Sequence, residues 1–442
     1  MSAAAGARPR LYYGWVVIAI AFVTMGVAIT ARTGYSLLFP EMIDEFGWDS
    51  GMTAGAFSVG FIASTFFLPI VGWTMARWGP RATIPMGALM VGGGYLAARW
   101  ITNPVELYLC FGLFAVNGSM AMSYISHSMF IPNWFVRNRG LAVGLAFAGV
   151  GVGGVTLLPA MQWLIETEGW RTACLAVGLV TVAAIVPLNL LFQKMRPEEM
   201  GLRPDGDAAP IKGAPPLHAD PIVDRAWAET DWTLRLALRT ARFWWIAVGY
   251  FCGLFIWYAI QVHQTRFLIE IGFDPAIAAL ALGGVAFFGI FGQIGIGALS
   301  DRIGRELGWA LALSGFVAAS GLLLALEAAP TMALLWAMVV LQGLLGNGLS
   351  AMFGAIPAEI FQGRKFPQIF STISLIANFG AGAGVWAMGW IHDATGDYRA
   401  GFWICLALSM TSMICIWQAS PRRVRLVAGR AEARAAAQRA AA

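Results

Sequence analysis

The sequence predicts an all-α membrane protein with twelve transmembrane helices arranged as two six-helix bundles. Three observations carry that prediction. Charged residues make up only 12% of the 442 residues against 58% hydrophobic, with a mean hydropathy of +0.68. A soluble domain carries roughly 25% charged residues, so this chain cannot solvate a globular surface of its size. The apolar residues come in blocks long enough to cross a bilayer core, which takes about 20 residues at helical rise. The two halves of the chain also share features at one fixed offset.

Twelve apolar blocks are legible: Tyr13–Leu38, Met52–Met75, Ala82–Trp100, Val105–Ile131, Leu141–Ile165, Thr172–Phe192, Phe243–Ile269, Ile277–Leu299, Leu307–Leu326, Met332–Ile356, Ile369–Ile391 and Gly401–Trp417. Only a helix or a closed barrel satisfies its backbone in lipid. The blocks are continuously apolar, without period-two alternation, so helices are expected over strands.

Charge sets the orientation. Of the 29 Lys and Arg, all but Arg32, Arg99, Arg171, Arg266 and Arg399 fall on one side of the predicted membrane. They include Arg8 and Arg10, Arg77 and Arg81, Arg137 and Arg139, the central polar stretch, Arg302 and Arg305, Arg364 and Lys365, and the tail from Arg422 to Arg439. The other side holds acids such as Glu41, Asp44, Glu45 and Asp49. The positive-inside rule then expects both termini in the cytoplasm and a plasma (bacterial inner) membrane location. The basic pI of about 9.1 points to anionic lipid headgroups rather than nucleic acid as the charged partner. The first helix is expected to act as its own uncleaved signal, since no A-x-A site ends the apolar run. Cys110, Cys174, Cys252, Cys405 and Cys415 lie within blocks and show neither metal spacing nor a disulfide framework, and no cofactor is expected.

The expected organisation is a bundle over 1–193, a linker over 194–242, a second bundle over 243–420 and a basic tail over 421–442. The linker reads as flexible. Its part Ala226–Arg242 mixes Trp227 and Trp232 with Arg235, Arg239 and Arg242, which suggests an interfacial helix. Gly47-Trp48-Asp49 recurs as Gly272-Phe273-Asp274, 225 positions on. Gly72, Arg77, Gly79 and Arg81 recur as Gly297, Arg302, Gly304 and Arg305/Glu306, and Arg139 recurs as Arg364. Six spans per half, both starting on the same side, make this a parallel repeat about an axis along the membrane normal.

The eighth–ninth loop reads Gly297-Ala-Leu-Ser-Asp301-Arg302-Ile-Gly304-Arg305-Glu306. It resembles the G-x-x-x-D-R-x-G-R-R signature of the major facilitator superfamily. The acid of such a loop can meet a neighbouring helix N-terminus, where the macrodipole is positive. The first-half copy has Ala76 where that acid is expected. The resemblance makes Arg77, Arg81, Arg139, Asp301, Arg302 and Arg305 candidates for conformational gating. Trp134-Phe135-Val-Arg137-Asn-Arg139-Gly-Leu141-Ala142-Val-Gly144-Leu145-Ala146-Phe-Ala148-Gly149 is similar to the Y-F-x-K-R-R-x-L-A-x-G-L-A-x-A-G signature of the monocarboxylate porter family and its bacterial relatives, including oxalate/formate-type exchangers. Tyr13-Gly14-Trp15, Gly169-Trp170-Arg171 and Pro357-Ala358-Glu359-Ile360-Phe361 extend the resemblance over nearly the whole chain. That family places an Asp/Arg pair on its eighth helix, and the Arg clamps the substrate carboxylate. Here Gly289 and Gln293 stand at those positions.

Ionisable residues within spans are functional candidates because their burial in lipid is costly. Arg32 lies inside the first span, near where the family uses a basic residue for substrate or proton handling. The competing reading is snorkelling to the outer headgroups, which fits Arg266 better. His263 and His127 are proton-coupling candidates, since histidine changes charge near physiological pH, and His263 is also a candidate substrate contact. Each could equally be a satisfied structural histidine. Tyr124, Phe353, Gln264, Gln293 and Asn378 complete the candidate substrate contacts, with core packing or helix–helix bonding as the alternative for each. Asn117 and Asn347 are open to the same two readings. Gly144, Gly149, Gly151, Gly153 and Gly154 are expected to permit close helix crossing. There is no phosphate loop, metal cluster or nucleophile–base pair to support an enzyme. The resemblance implies a secondary transporter of a small organic anion, with proton coupling as a further option. The missing eighth-helix Arg keeps a neutral or hydrophobic solute as the alternative.

Overall fold

The computed structural model describes residues 12–48, 50–207 and 219–441; Arg8, Arg10 and Asp49 lie outside them. Among the described residues there is no strand beyond an isolated bridge between Ile222 and Arg425. Twelve long helices follow the twelve apolar blocks. They are α1 (Tyr13–Phe46), α2 (Ser50–Trp78), α3 (Pro80–Ala98), α4 (Pro104–Trp134), α5 (Arg139–Glu168) and α6 (Trp170–Phe192) in the first bundle. The second bundle has α7 (Ala241–Glu270), α8 (Pro275–Ile303), α9 (Arg305–Ala328), α10 (Met332–Ile360), α11 (Phe366–Thr395) and α12 (Arg399–Ala419). Ten of them are long and apolar enough to cross a membrane, α2 and α3 being the exceptions among the described residues. In α3 the shortfall has a local cause: Arg81, Pro85 and the run Gly92-Gly93-Gly94 dilute its hydropathy.

Helical backbone runs eight residues past the first apolar block, to Phe46, with a break at Gly34, so Arg32 lies in the last turn before that break. α4 and α10 are both interrupted. Ser123 is extended (φ −81°, ψ −175°) and its hydroxyl accepts the Ile125 N–H at 3.3 Å, capping the restart. In α10 a 3-10 turn at Gly346–Gly348 breaks the helix. Irregular backbone at membrane depth is tolerated where it faces protein or a cavity, and such breaks mark binding sites in transporter folds.

Glycine decides how closely the helices cross. A Cβ on Gly149 would collide with the Phe22 carbonyl of α1, and one on Gly153 would lie 2.5 Å from the Gly26 carbonyl. A turn away, Cβ atoms on Gly140 and Gly144 would collide with the Gly297 and Gln293 carbonyls of α8, and one on Gly151 would lie 2.5 Å from Ile290. Hence α5 packs backbone to backbone against α1 on one face and against the other bundle on the second. Gly154, expected to do the same, faces open space. Gly72 of α2 makes the matching approach to Ser371 of α11.

The linker and tail lie together at the end where the bundles meet. Asp205, in the left-handed region at φ 57°, accepts the Val136 and Arg137 N–H groups at 3.0 Å each, and Arg137 pairs with Asp207 at 2.7 Å. Val223 N donates to Val424 O at 2.9 Å and Leu426 N to Pro221 O at 2.8 Å, tying linker to tail. The tail ends in α13 (Ala428–Ala441). The expected interfacial helix over Ala226–Arg242 is instead two short pieces, Arg225–Glu229 and Leu234–Ala237. Trp227 and Trp232 pack with tilted rings 4.4 Å apart and close on Phe361, with Trp227 Nε1 donating to Ile360 O at 2.9 Å. The tryptophans found protein to pack against, so they do not anchor a helix in lipid.

Candidate functional site

A cavity of about 410 Å³ lies between the bundles, within the range of small-molecule sites. α1 brings Arg32 to it, α4 brings Ser119, Ser123 and Tyr124, and α7 brings Trp257, Tyr258 and Gln261. Gln293 enters from α8, and Asn347, Ser350 and Phe353 enter from α10. Met25, Ile29, Phe147 and Leu254 supply apolar wall. Toward the end away from the linker the wall finishes in Thr33 and Val262, both exposed. Arg32 is the sole charged residue among the described lining, and no described carboxylate pairs with it.

Polar groups cluster around that charge. The Tyr124 ring packs edge-on to Phe147 and Phe353, each at 6.0 Å. Trp257 Nε1 donates to Gln261 Oε1 at 2.5 Å, which orients the amide. Gln293 Oε1 is buried and has no partner. Asn347 Nδ2 donates to Val285 O at 3.0 Å and stands against Gly289, where a side chain on Gly289 would collide with it.

Arg32, Tyr124, Gln293 and Phe353 thus come together, and His263, Gln264, His127 and Asn378 do not join them. His263 turns to α11, with Nε2 at 3.0 Å from Val385 O and Nδ1 at 3.4 Å from the Tyr398 hydroxyl. Gln264 is buried behind the wall with its amide atoms unpartnered. His127 packs on Phe130 and meets Ser123 O through Nδ1 at 2.9 Å. Asn378 bonds its own helix at Ser374 O. On α7 the lining register is Trp257, Tyr258, Gln261; a helical period counted inward from Gln261 would have found all three.

At the linker end a buried charge cluster closes the seam. Asp301 Oδ1 accepts Gly140 N–H at 2.9 Å and Oδ2 accepts Leu141 N–H at 3.0 Å, placing the carboxylate on the first turn of α5. Arg305 Nη2 lies 2.7 Å from Asp301 and 3.3 Å from Glu359, and Arg139 Nη1 lies 3.0 Å from Glu359. Two cations and two anions from α5, α8, α9 and α10 balance there, all buried. Arg302 is exposed beneath α13, with Gly429 against its backbone. Arg77 is exposed over the Trp73 ring, and Arg81 donates to Leu190 O at 2.7 Å and Leu191 O at 3.1 Å. The gating candidates therefore divide into one balanced buried cluster and one set of surface arginines.

Comparison with known proteins agrees with this architecture. The family model of the Major Facilitator Superfamily matches residues 20–338 and 267–440. The chain belongs to the Major Facilitator Superfamily. Among superfamily members it is 27% identical to monocarboxylate transporter 13 of Bos taurus, over 88% of this chain and 85% of that protein. It is 27% identical to monocarboxylate transporter 11 of Mus musculus, over 93% and 88%. A solved superfamily structure, the Escherichia coli fucose:proton symporter, matches with a TM-score of 0.66 at 15% identity over 92% of this chain and 99% of that one. At that identity the likeness speaks for the fold alone. The chain is a multi-pass membrane transporter of a small molecule, resembling monocarboxylate porters, and not an enzyme.

Proposed function

We propose that the chain is a secondary transporter of a small monocarboxylate, working by alternating access of the cavity between its bundles. One observation carries the reading: Arg32 is an unpaired cation in a cavity whose described lining holds no acid. A part-buried cation in a mostly apolar wall without a carboxylate partner favours an anionic ligand. A guanidinium can hold a carboxylate through two parallel hydrogen bonds. Tyr124, Tyr258 and Gln261 surround it as neutral donors, and the apolar wall suits a short hydrocarbon tail. Gln293 replaces a counter-charge with an amide, which leaves Arg32 the whole of the clamp. The described lining contains neither carboxylate nor imidazole, so we assign the cavity a binding role and place any proton carrier behind it, at His127 or His263.

The basic linker end is proposed to face the cytoplasm, by the positive-inside rule, in a bacterial inner membrane. The structure is then the state with the inner end sealed. Purified protein should be stabilised thermally by short monocarboxylates and not by their amide isosteres. Stabilisation by amides and sugars but by no acid would move the reading to a neutral-solute transporter. Reporter fusions after Lys194 and at Ala442 test the orientation; external labelling of either in intact cells would refute it.

A further inference from the structure

We infer a second anion site, for a phosphate group, at the linker end of the first bundle. A cavity of about 320 Å³ there is lined by Arg77, Arg81, Arg196 and Arg364, with Glu199 as its one acid. Glu199 is engaged by the Arg196 backbone N–H at 3.1 Å. None of the four arginines forms an ion pair with a described carboxylate. Ala76 is part of the wall.

The internal repeat explains why the charge is unbalanced. The buried cluster of Asp301, Arg305, Glu359 and Arg139 has two acids for two arginines. Counting back or forward 225 positions, Arg139 corresponds to Arg364 and, one residue off, Arg305 to Arg81. Asp301 corresponds to Ala76 and Glu359 to Trp134. The first copy has therefore kept its cations and lost both acids. The two bundles also cross closely in both copies, a Cβ on Gly72 meeting the Ser371 side chain and the Pro367 carbonyl where one on Gly297 would meet the Gly140 carbonyl. A cavity bordered by Ala76 occupies the place from which Asp301 acts in the other copy. A phosphate supplies charge and several acceptor oxygens, which suits guanidinium groups converging from different segments. Arg77, Arg81 and Arg196 belong to the first bundle and its linker, and Arg364 to the second. The anion would thus bridge the bundles and bind the state with this end closed more tightly than the open one.

Phosphate chemistry here could come from a phospholipid headgroup or from a soluble ion, and the experiment separates them. The full-length protein is reconstituted in phosphatidylcholine nanodiscs with and without phosphatidylglycerol. Retained lipid is counted by native mass spectrometry, and Tm is followed against inorganic phosphate. Retention of phosphatidylglycerol assigns the lipid source; a Tm rise with inorganic phosphate in phosphatidylcholine alone assigns the soluble one. In either case the R77Q/R364Q double variant should weaken binding at least tenfold. Ala76→Asp, which puts a carboxylate back among the arginines, should do the same without removing any cation. Arg434→Gln, on the exposed tail, should leave binding unchanged. No response to either probe, equal binding in wild type and A76D, or an equal loss in R434Q would overturn the site.

Discussion

Arg139 and Glu359 face each other at 3.0 Å across the two bundles, both buried. Arg139 also donates to Phe135 O and Pro132 O at 3.2 Å each, so its position is fixed from its own side. Breaking a buried pair from one side strands the other charge, at about 3–5 kcal/mol. Glu359→Gln leaves Arg139 facing an amide and Arg305 with Asp301 alone. The expected outcome is a lower Tm and a shift away from the state with the linker end sealed. A cysteine introduced at Ser371, buried where α2 and α11 of the two bundles cross at the same end, should react with maleimide at least tenfold faster in the Glu359→Gln background. Equal labelling rates would show that the pair does not hold the seam.

Asp301 acts on the same seam through backbone. Its two oxygens accept neighbouring N–H groups at the start of α5, where the helix dipole favours negative charge. Asp301→Asn keeps the shape and one acceptor but loses the charge, and charge-assisted bonds contribute about 1.5–3 kcal/mol. Transport should slow several-fold while the amount of inserted protein stays near wild type. An unchanged rate together with an unchanged Ser371→Cys labelling rate would remove Asp301 from the gate.

Asp205 combines two requirements at one position. It holds a positive φ, costing roughly 1–2 kcal/mol for an ordinary side chain, and it caps the Val136 and Arg137 amides. Asn tolerates that backbone and keeps an acceptor, whereas Ala does neither well. Proteolysis within the linker should therefore accelerate in the order wild type, Asp205→Asn, Asp205→Ala. Equal protection in all three would mean the strap is held elsewhere, for instance by its pairing to the tail.

Much of this fold was legible because lipid forces long apolar helices and short basic loops, and both survive in a single sequence. All twelve apolar blocks became helices, and the Asp301 loop reached the α5 terminus that its acid suited. What stayed hidden depended on side-chain register and on tertiary neighbours. His263 and Gln261 are two residues apart on α7, a turn of about 200°, so one lines the cavity while the other meets Val385 and Tyr398. Nothing local to either residue separates them. In sequence Glu359 is one residue of a stretch that resembles the family, and its pairing with Arg139 needs two bundles in contact. Gly289 looked like a lost acid in sequence; in space Asn347 occupies the room beside it. Trp227 and Trp232 fitted an interfacial helix until Phe361 offered a packed alternative.

The substrate assignment turns on Arg32. It sits in the last helical turn before the break at Gly34 in α1, lines the cavity, and has no carboxylate partner among the described residues. Four other arginines on the far side of the sequence map behave differently. Arg171, Arg266 and Arg399 pair with Glu45, Glu270 and Glu327 at 2.6–2.8 Å, and Arg99 is exposed at the end of α3. Snorkelling would draw Arg32 to the membrane surface in the same way, and its place in the cavity wall argues against it. Arg32→Gln keeps hydrogen-bonding capacity and removes the charge. A monocarboxylate should then lose at least tenfold in affinity, about 1.4 kcal/mol, while a neutral isostere changes little. Arg32→Lys should lie between, because charge survives but the two-pronged fork does not. Both variants should insert normally, since the wall otherwise consists of neutral residues. Calorimetry on purified protein reads the three affinities directly. An affinity for monocarboxylate that is equal in wild type and Arg32→Gln would place the anion elsewhere and return the cavity to a neutral solute.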